Sequence, residues 1–378
     1  MIRIFAICSP GEIRVAVADD DQLLDYAISR PGAPDGVGDL HRGRIINVVP
    51  AMAGAFVAVS GAEGFLPDSE GAAGLNQGAM LGVRVTRAAQ GGKGPRLSAK
   101  LDQAITASAI GSGPVALLWR GPGAVERMAA IWADAPVLVD NAGVAASLVA
   151  LLRDRVSVWR DGLPDALADQ IEVLESPVVE LPGGARLSIH PTPALIAIDV
   201  DAGGMTASRE GKARAQTSLN HKLLPELARQ IRLRNLSGGI VVDLAGMPAR
   251  KRASLTPALV AALADDPLRP RFLGFTALGL AEILRSRVHP PLHELLAGPH
   301  AAGLAALRAL AKAANADPSF RLELRAVPAI VAALQADSVA LEDFTASTGQ
   351  RALLRSDPGL RNDPGLTSGW QVEAERHA

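Results

Sequence analysis

Ala194-Leu-Ile-Ala-Ile-Asp-Val-Asp201 and Gly238-Gly-Ile-Val-Val-Asp243 are short aliphatic, β-branched runs bounded by Pro or Gly, and each ends on a carboxylate. Runs of this length and composition predict buried strands. An acid at the end of such a strand is costly unless something holds it. Between the two, residues 205–252 carry ten Lys/Arg (Arg209, Lys212, Arg214, Lys222, Arg229, Arg232, Arg234, Arg250, Lys251, Arg252) against Glu210, Glu226 and Asp243. Carboxylates brought together from two strand ends, inside a positive surround, suit a hard cation facing a polyanion.

The rest of the 378-residue chain is long enough for two or more cores, and its 48% hydrophobic content argues for compact globular material. Aromatics are only 3%, so cores must be built from Ala, Leu, Val and Ile, and few rings remain for stacking on bases. Lys+Arg 38 against Asp+Glu 39 gives a net charge of -1, so any nucleic-acid affinity must come from a local basic patch. Cys8 is the single cysteine, which removes disulfides and cysteine zinc sites and fits a reducing compartment. Met1-Ile-Arg-Ile-Phe leads directly into a strand pattern rather than a secretory leader, and no apolar run is long enough for a bilayer. The expected location is cytoplasmic.

In chain order, Ile2–Ile7, Glu12–Ala18 and Leu23–Ala27 alternate across short turns and predict a β-meander, followed by a Pro/Gly-rich linker over 31–38. Residues 39–98 hold closely spaced short strands with glycine-rich turns, the pattern of a small closed barrel, most simply of the OB type. By residue type, Phe56, Phe65 and Lys93 are candidates for a nucleic-acid face, although side-chain type alone favours both Phe as core. Residues 99–190 alternate strand and helix patterns, with Val115–Trp119 and Ala135–Val139 as strands and Ala124–Trp132 and Ala142–Arg153 as helices. Residues 191–295 hold the two carboxylate strands and a helix with Leu227, Ala228 and Ile231 on one face and Arg229 and Arg232 on another, interrupted by Pro225. Glu282–Arg287 reads as a closing helix. Residues 302–378 read as a small α+β domain, ragged beyond Pro358. No His-Glu-x-x-His pattern occurs, and two prolines separate His289 from His293, so a zinc site is not expected.

With these residues in view, the chain resembles the ribonuclease E/G family. The likeness rests on Gly43–Val59, which looks like the family's S1-type barrel, on Gly92-Lys-Gly-Pro-Arg-Leu-Ser98, and most specifically on Ala197-Ile-Asp-Val-Asp201, Ala228–Asp243 and Leu278–Arg287. It implies an RNase H-like subdomain (1–38 and 99–190) interrupted by an S1-type OB-fold barrel (39–98), then a DNase I-like catalytic subdomain (191–295) and a small C-terminal domain (302–378). It also implies an endoribonuclease that needs Mg2+, cuts single-stranded A/U-rich RNA in rRNA maturation or mRNA turnover, and leaves 5'-phosphate and 3'-hydroxyl ends. The family's metal-binding aspartates fall on Asp199 and Asp243, and its grip on single-stranded RNA falls on Phe56, Phe65 and Lys93.

Three departures bear on that expectation. The family usually has Asn where this chain has Asp201, and an ionised Asp cannot donate a hydrogen bond to a phosphate. Asp201 therefore joins Asp199 and Asp243 as a catalytic candidate of altered character. Most of the segment that senses a 5'-monophosphate is missing between Ser98 and Val115, which leaves Arg120 and Arg269 as remnants of its cations. The Cys-Pro-x-Cys zinc link is absent, which excludes a zinc-bridged tetramer and leaves a homodimer open. Two other readings compete: an RNA-binding protein with a decayed site, and a protein-interaction scaffold without RNA affinity.

Overall fold

A computed structural model describes residues 1–101, 113–181, 184–201, 203, 209–317, 320–360 and 369–376. The sensor gap between Ser98 and Val115 lies largely outside them. Strands β1 (Ile2–Ser9), β2 (Glu12–Asp19) and β3 (Gln22–Ser29) form the expected antiparallel meander, in a sheet of mostly apolar inward residues.

The chain then enters the barrel. Strands β4 (Leu40–Val49), β5 (Gly54–Val59), β6 (Ala62–Pro67), β7 (Met80–Arg87) and β8 (Arg96–Ser98) pair in the order β5-β6-β8-β7-β4, and β5 pairs back onto β4. Five strands thus close on themselves, as an OB-type barrel requires. Its interior is Ile45, Val57, Leu66, Leu81, Val83 and Leu97. Strand β9 (Ala116–Trp119) adds to β4, beside the barrel, although the sequence groups it with the strands and helices of 99–190. Periodicity marks a strand but not its partner. Asp39 sits where the barrel segment begins and also receives its end: Arg120 Nη1 donates to Asp39 Oδ2 at 2.6 Å and the Gly121 N–H to Oδ1 at 2.7 Å.

Strands β10 (Val137–Val139) and β11 (Val156–Val158) return to the first sheet, with β10 parallel to β1. The helices Ala124–Ile131 and Ala142–Leu152 follow the expected ranges closely, and Val125, Met128, Ala145 and Leu148 bury against Ile4, Val15 and Val137.

The second six-stranded sheet holds β12 (Val178–Glu180), β13 (Arg186–Pro191), β14 (Ile196–Asp201), β15 (Gly238–Asp243), β16 (Arg271–Phe275) and β17 (Ala281–Arg285) in the order β12-β13-β14-β15-β17-β16. Ile196, Ile198, Val200, Ile240, Val242 and Ile283 point to one face, where they meet Leu224, Leu227 and Ile231 of the helix Arg209–Leu233 and Leu259 and Leu263 of the helix Thr256–Leu263. The opposite face is half-buried or exposed. The long helix runs through Pro225 rather than starting there. Residues 281–285 are a strand, correcting the helix read over Glu282–Arg287. Ala, Glu, Leu and Arg favour helix, but pairing along β15 and alternate burial of Ala281, Ile283 and Arg285 override that preference.

The C-terminal part places β18 (Phe320–Ala326) between β19 (Leu353–Ser356) and β20 (Trp370–Arg376). Helices Gly298–Ala316, Pro328–Ala336 and Ser338–Thr348 build a core of Leu304, Leu307, Leu324, Leu334 and Phe344. Strand β20 corrects the expectation of a ragged tail beyond Pro358. Close contacts group residues 1–34, 123–168 and 292–378 as one compact unit and 35–122 and 169–291 as another.

Candidate active site

Parallel pairing of β14 and β15 sets Ile196 opposite Ile240, Ala197 opposite Val241, Ile198 opposite Val242, and Asp199 opposite Asp243. The side-chain period of two then puts both carboxylates on the same face, the one the helices leave open, at the carboxyl ends of neighbouring strands. Adjacent strands lie about 4.8 Å apart, so the two acids sit within reach of one small ion. Both are exposed. A divalent cation is the natural neutraliser of such a pair, because Mg2+ keeps several waters and asks for only one or two carboxylates.

Asp243 is held from behind. Arg252 is 8% exposed; its Nη1 donates to Asp243 Oδ1 at 2.8 Å and to the Gly279 carbonyl at 2.8 Å, and its Nε donates to the Met247 carbonyl at 2.9 Å. Asn220, fully buried on the long helix, donates to the Ala245 carbonyl at 2.9 Å and fixes the loop that leaves β15. In the sequence, Arg252 is one of ten basic residues over 205–252 and nothing in its type gives it a role. The signal was the tight spacing of Asp243 and the Ala249-Arg-Lys-Arg252 turn.

Asp201 stands apart from that pair. It lies two residues further along β14, opposite Arg186 of β13; its Oδ1 accepts from the Gly203 N–H at 3.0 Å and its Oδ2 lies 3.5 Å from Arg186 Nη2. Among the described residues, no group of three or more His, Cys, Asp or Glu side chains is gathered to hold a metal. The pair Asp199 and Asp243 is thus the metal-binding candidate, with Asp201 at its margin.

The positive surround divides once folded. Arg229 bonds Glu226, Arg234 is buried against the carbonyls of Val173 and Ser176, and Arg232 reaches the Asp265 carbonyl. Those three serve packing. Lys222, Arg250 and Lys251 are exposed.

On the barrel, Phe56 and Phe65 are direct cross-strand partners, half-buried on the outer surface with ring centroids 5.5 Å apart in an edge-to-face arrangement. They are therefore not core, contrary to what residue type alone favoured. The neighbouring Ala55, Val57 and Leu66 fill the interior instead. Gly54 makes room for the pair, since a Cβ there would stand 2.5 Å from Phe65 Cζ and 2.5 Å from the Leu66 carbonyl oxygen. Lys93 is exposed on a tight turn closed against Gln90, and the strand that follows carries Arg96 beside Phe65. Arg120 is committed to Asp39 at the barrel's margin, and Arg269 is exposed with a left-handed φ of 47° just before β16.

Residues 142–288, the span that contains Asp199, Asp243 and Arg252, match the model of the Ribonuclease E/G family. Over that span, the chain is similar to the ribonuclease E/G family. Similar proteins include a Ribonuclease E of Synechocystis sp., 36% identical over 32% of this chain and 18% of that protein, and a Ribonuclease E of Haemophilus influenzae, 24% identical over 75% of this chain and 41% of that protein. A Ribonuclease G of Escherichia coli is 28% identical over 48% of this chain and 40% of its own length. The chain thus spans well under half of each of these ribonuclease E/G relatives. No helix among the described residues is long and apolar enough to cross a membrane.

Proposed function

We propose that this protein is a Mg2+-dependent endoribonuclease that hydrolyses single-stranded, A/U-rich RNA, in rRNA maturation or mRNA turnover, within the cytoplasm. The observation that carries the reading is the in-register pairing of Asp199 with Asp243 on the open face of the sheet. The family-model match over residues 142–288 and the names of the similar proteins support the reaction class.

Asp199 and Asp243 would hold the metal. A bound Mg2+ supplies electrophilic stabilisation of the scissile phosphate and a more acidic water. Arg252 keeps Asp243 in one rotamer and offsets the charge of two neighbouring acids before the ion arrives. Asp201 accepts from the Gly203 N–H and, while ionised, brings negative charge toward the phosphate, where an amide would donate a hydrogen bond. Phe56 and Phe65 offer stacking faces for two bases, and Lys93 offers a cation to the backbone. Arg120 and Arg269 are weak candidates for a 5'-end contact, Arg120 because Asp39 already engages it. Hydrolysis leaves a 5'-phosphate and a 3'-hydroxyl.

Asp201 also favours a second reading, an RNA-binding protein of this family with little turnover. Incubating the protein and an unstructured RNA oligonucleotide with Mg2+ separates the two. Cleavage that is lost in Asp199→Asn and Asp243→Asn supports the nuclease, and cleavage that survives both substitutions overturns the assigned site. Tight binding without cleavage under any divalent metal supports the second reading.

A further inference from the structure

Strand register sets Arg87 of β7 opposite Arg96 of β8. A hydrogen bond from the Ala88 N–H to the Val288 carbonyl, 2.8 Å, brings the segment after β17 against the end of β7. Arg287 arrives on that segment. Its guanidinium lies across Gly238 at the start of β15, where a Cβ would stand 2.5 Å from Arg287 Nη2. Three arginines therefore gather where the barrel meets the carboxylate sheet. Among the described residues none of the three forms an ion pair, and Arg87 Nε and Gln90 Nε2 are buried without a hydrogen-bond partner. Glu70 feels the charge of Arg96 but is engaged by Ser98 Oγ at 2.6 Å and Lys100 at 3.7 Å. Burial, with the charges of Arg96 and Arg287 beside it, holds the Arg87 guanidinium below the ordinary arginine value.

Like charges gathered without a counter-charge are unfavourable unless an anion joins them, and guanidinium forks match phosphate oxygens in geometry. We infer that Arg87, Arg96 and Arg287 form a station for one internal phosphate of the RNA backbone, between the Phe56/Phe65 pair and the Asp199/Asp243 pair. The inference rests on the endoribonuclease reading and adds a position to it. Arg96 is the register partner of Phe65, so a strand stacked on that ring meets the arginines next. Gly238 and Asp243 lie at opposite ends of one six-residue strand, about 16 Å apart, so the scissile phosphate would follow a few nucleotides on.

The test measures binding of an unstructured RNA oligonucleotide by fluorescence anisotropy in EDTA, across a KCl series, for wild type, Arg96→Gln, Arg287→Gln and Arg87→Lys. The first two replace exposed side chains and should leave the fold intact. Each is expected to bind about tenfold more weakly, with the salt slope shallower by about 0.7. Oligonucleotides carrying one neutral methylphosphonate linkage at successive positions give the second readout. One internal position should weaken wild-type binding and have no further effect in Arg96→Gln. A salt slope unchanged in both Gln variants, or sensitivity that follows a 5'-terminal phosphate instead of an internal linkage, would overturn the station. Wild type that cleaves RNA while these results fail sinks the station alone, whereas wild type with no RNA affinity sinks the endoribonuclease reading and the station with it.

Discussion

Arg252→Met removes the group that fixes Asp243. The guanidinium makes three bonds, to Asp243 Oδ1 and to the carbonyls of Met247 and Gly279, and it is almost wholly buried. Each carbonyl bond is worth about 1 kcal/mol net and the charged bond somewhat more, so the substitution should cost about 3 kcal/mol. For a compact unit of roughly 200 residues that corresponds to a fall of about 6–12 °C in melting temperature. Arg252→Lys keeps the charge but cannot span three acceptors, so it should recover only part of the loss. Cleavage should fall on the order of 100-fold in Arg252→Met, because an unheld carboxylate no longer meets its partner in one geometry. Differential scanning fluorimetry and initial rates on one RNA substrate check both numbers. A variant that melts and cleaves like wild type would refute the claim that this arginine positions Asp243.

Asp201→Asn should raise the cleavage rate several-fold, since it removes a negative charge and supplies a donor beside the phosphate; a lower rate at saturating Mg2+ would show that Asp201 itself helps. Phe56→Ala and Phe65→Ala should each weaken RNA binding by about 1–3 kcal/mol in anisotropy titrations while leaving the melting temperature nearly unchanged, because both rings lie outside the barrel core. Glu12 is a pH probe. Burial raises its pKa, but the charge of Arg14 and its hydrogen bond, with Arg308 and Arg30, outweigh burial and leave it below the ordinary glutamate value. Its contribution is therefore complete above that ordinary value and lost as pH falls through the lowered one. Glu12→Gln should be less stable at neutral pH yet lose less on acidification, as melting curves from pH 7 to pH 3 would show.

Much of this could be read from residues alone, and the reasons for the rest are specific. Asp199 and Asp243 were visible because an acid closing a β-branched run stands out. Their side-by-side register was not, since it depends on how the connection over 202–237 returns β15 to β14 in parallel. The barrel's strands could be counted from glycine-rich turns, but the pairing of β9 with β4 could not be read, because a four-residue apolar run carries no mark of its partner. Phe56 and Phe65 looked like core on type, and only the alternation with Ala55, Val57 and Leu66 turns them outward. Ala281–Arg285 failed for the opposite reason, being strong helix formers placed in a strand. Arg252 was lost among ten cations, because nothing in composition separates an arginine that grips a carboxylate from Arg234, which grips carbonyls.

The Asp39 clasp has a consequence for how the molecule assembles. β1 and β10 must find each other across more than one hundred intervening residues, a closure whose entropic penalty grows with the logarithm of that separation. By tying Arg120 and Gly121 to Asp39, a finished barrel brings the two threads of chain together and shortens the gap that remains. The barrel should then fold early, and the parallel pairing of β1 with β10 should wait for it, so a lesion in the clasp would slow maturation of a sheet built from other residues.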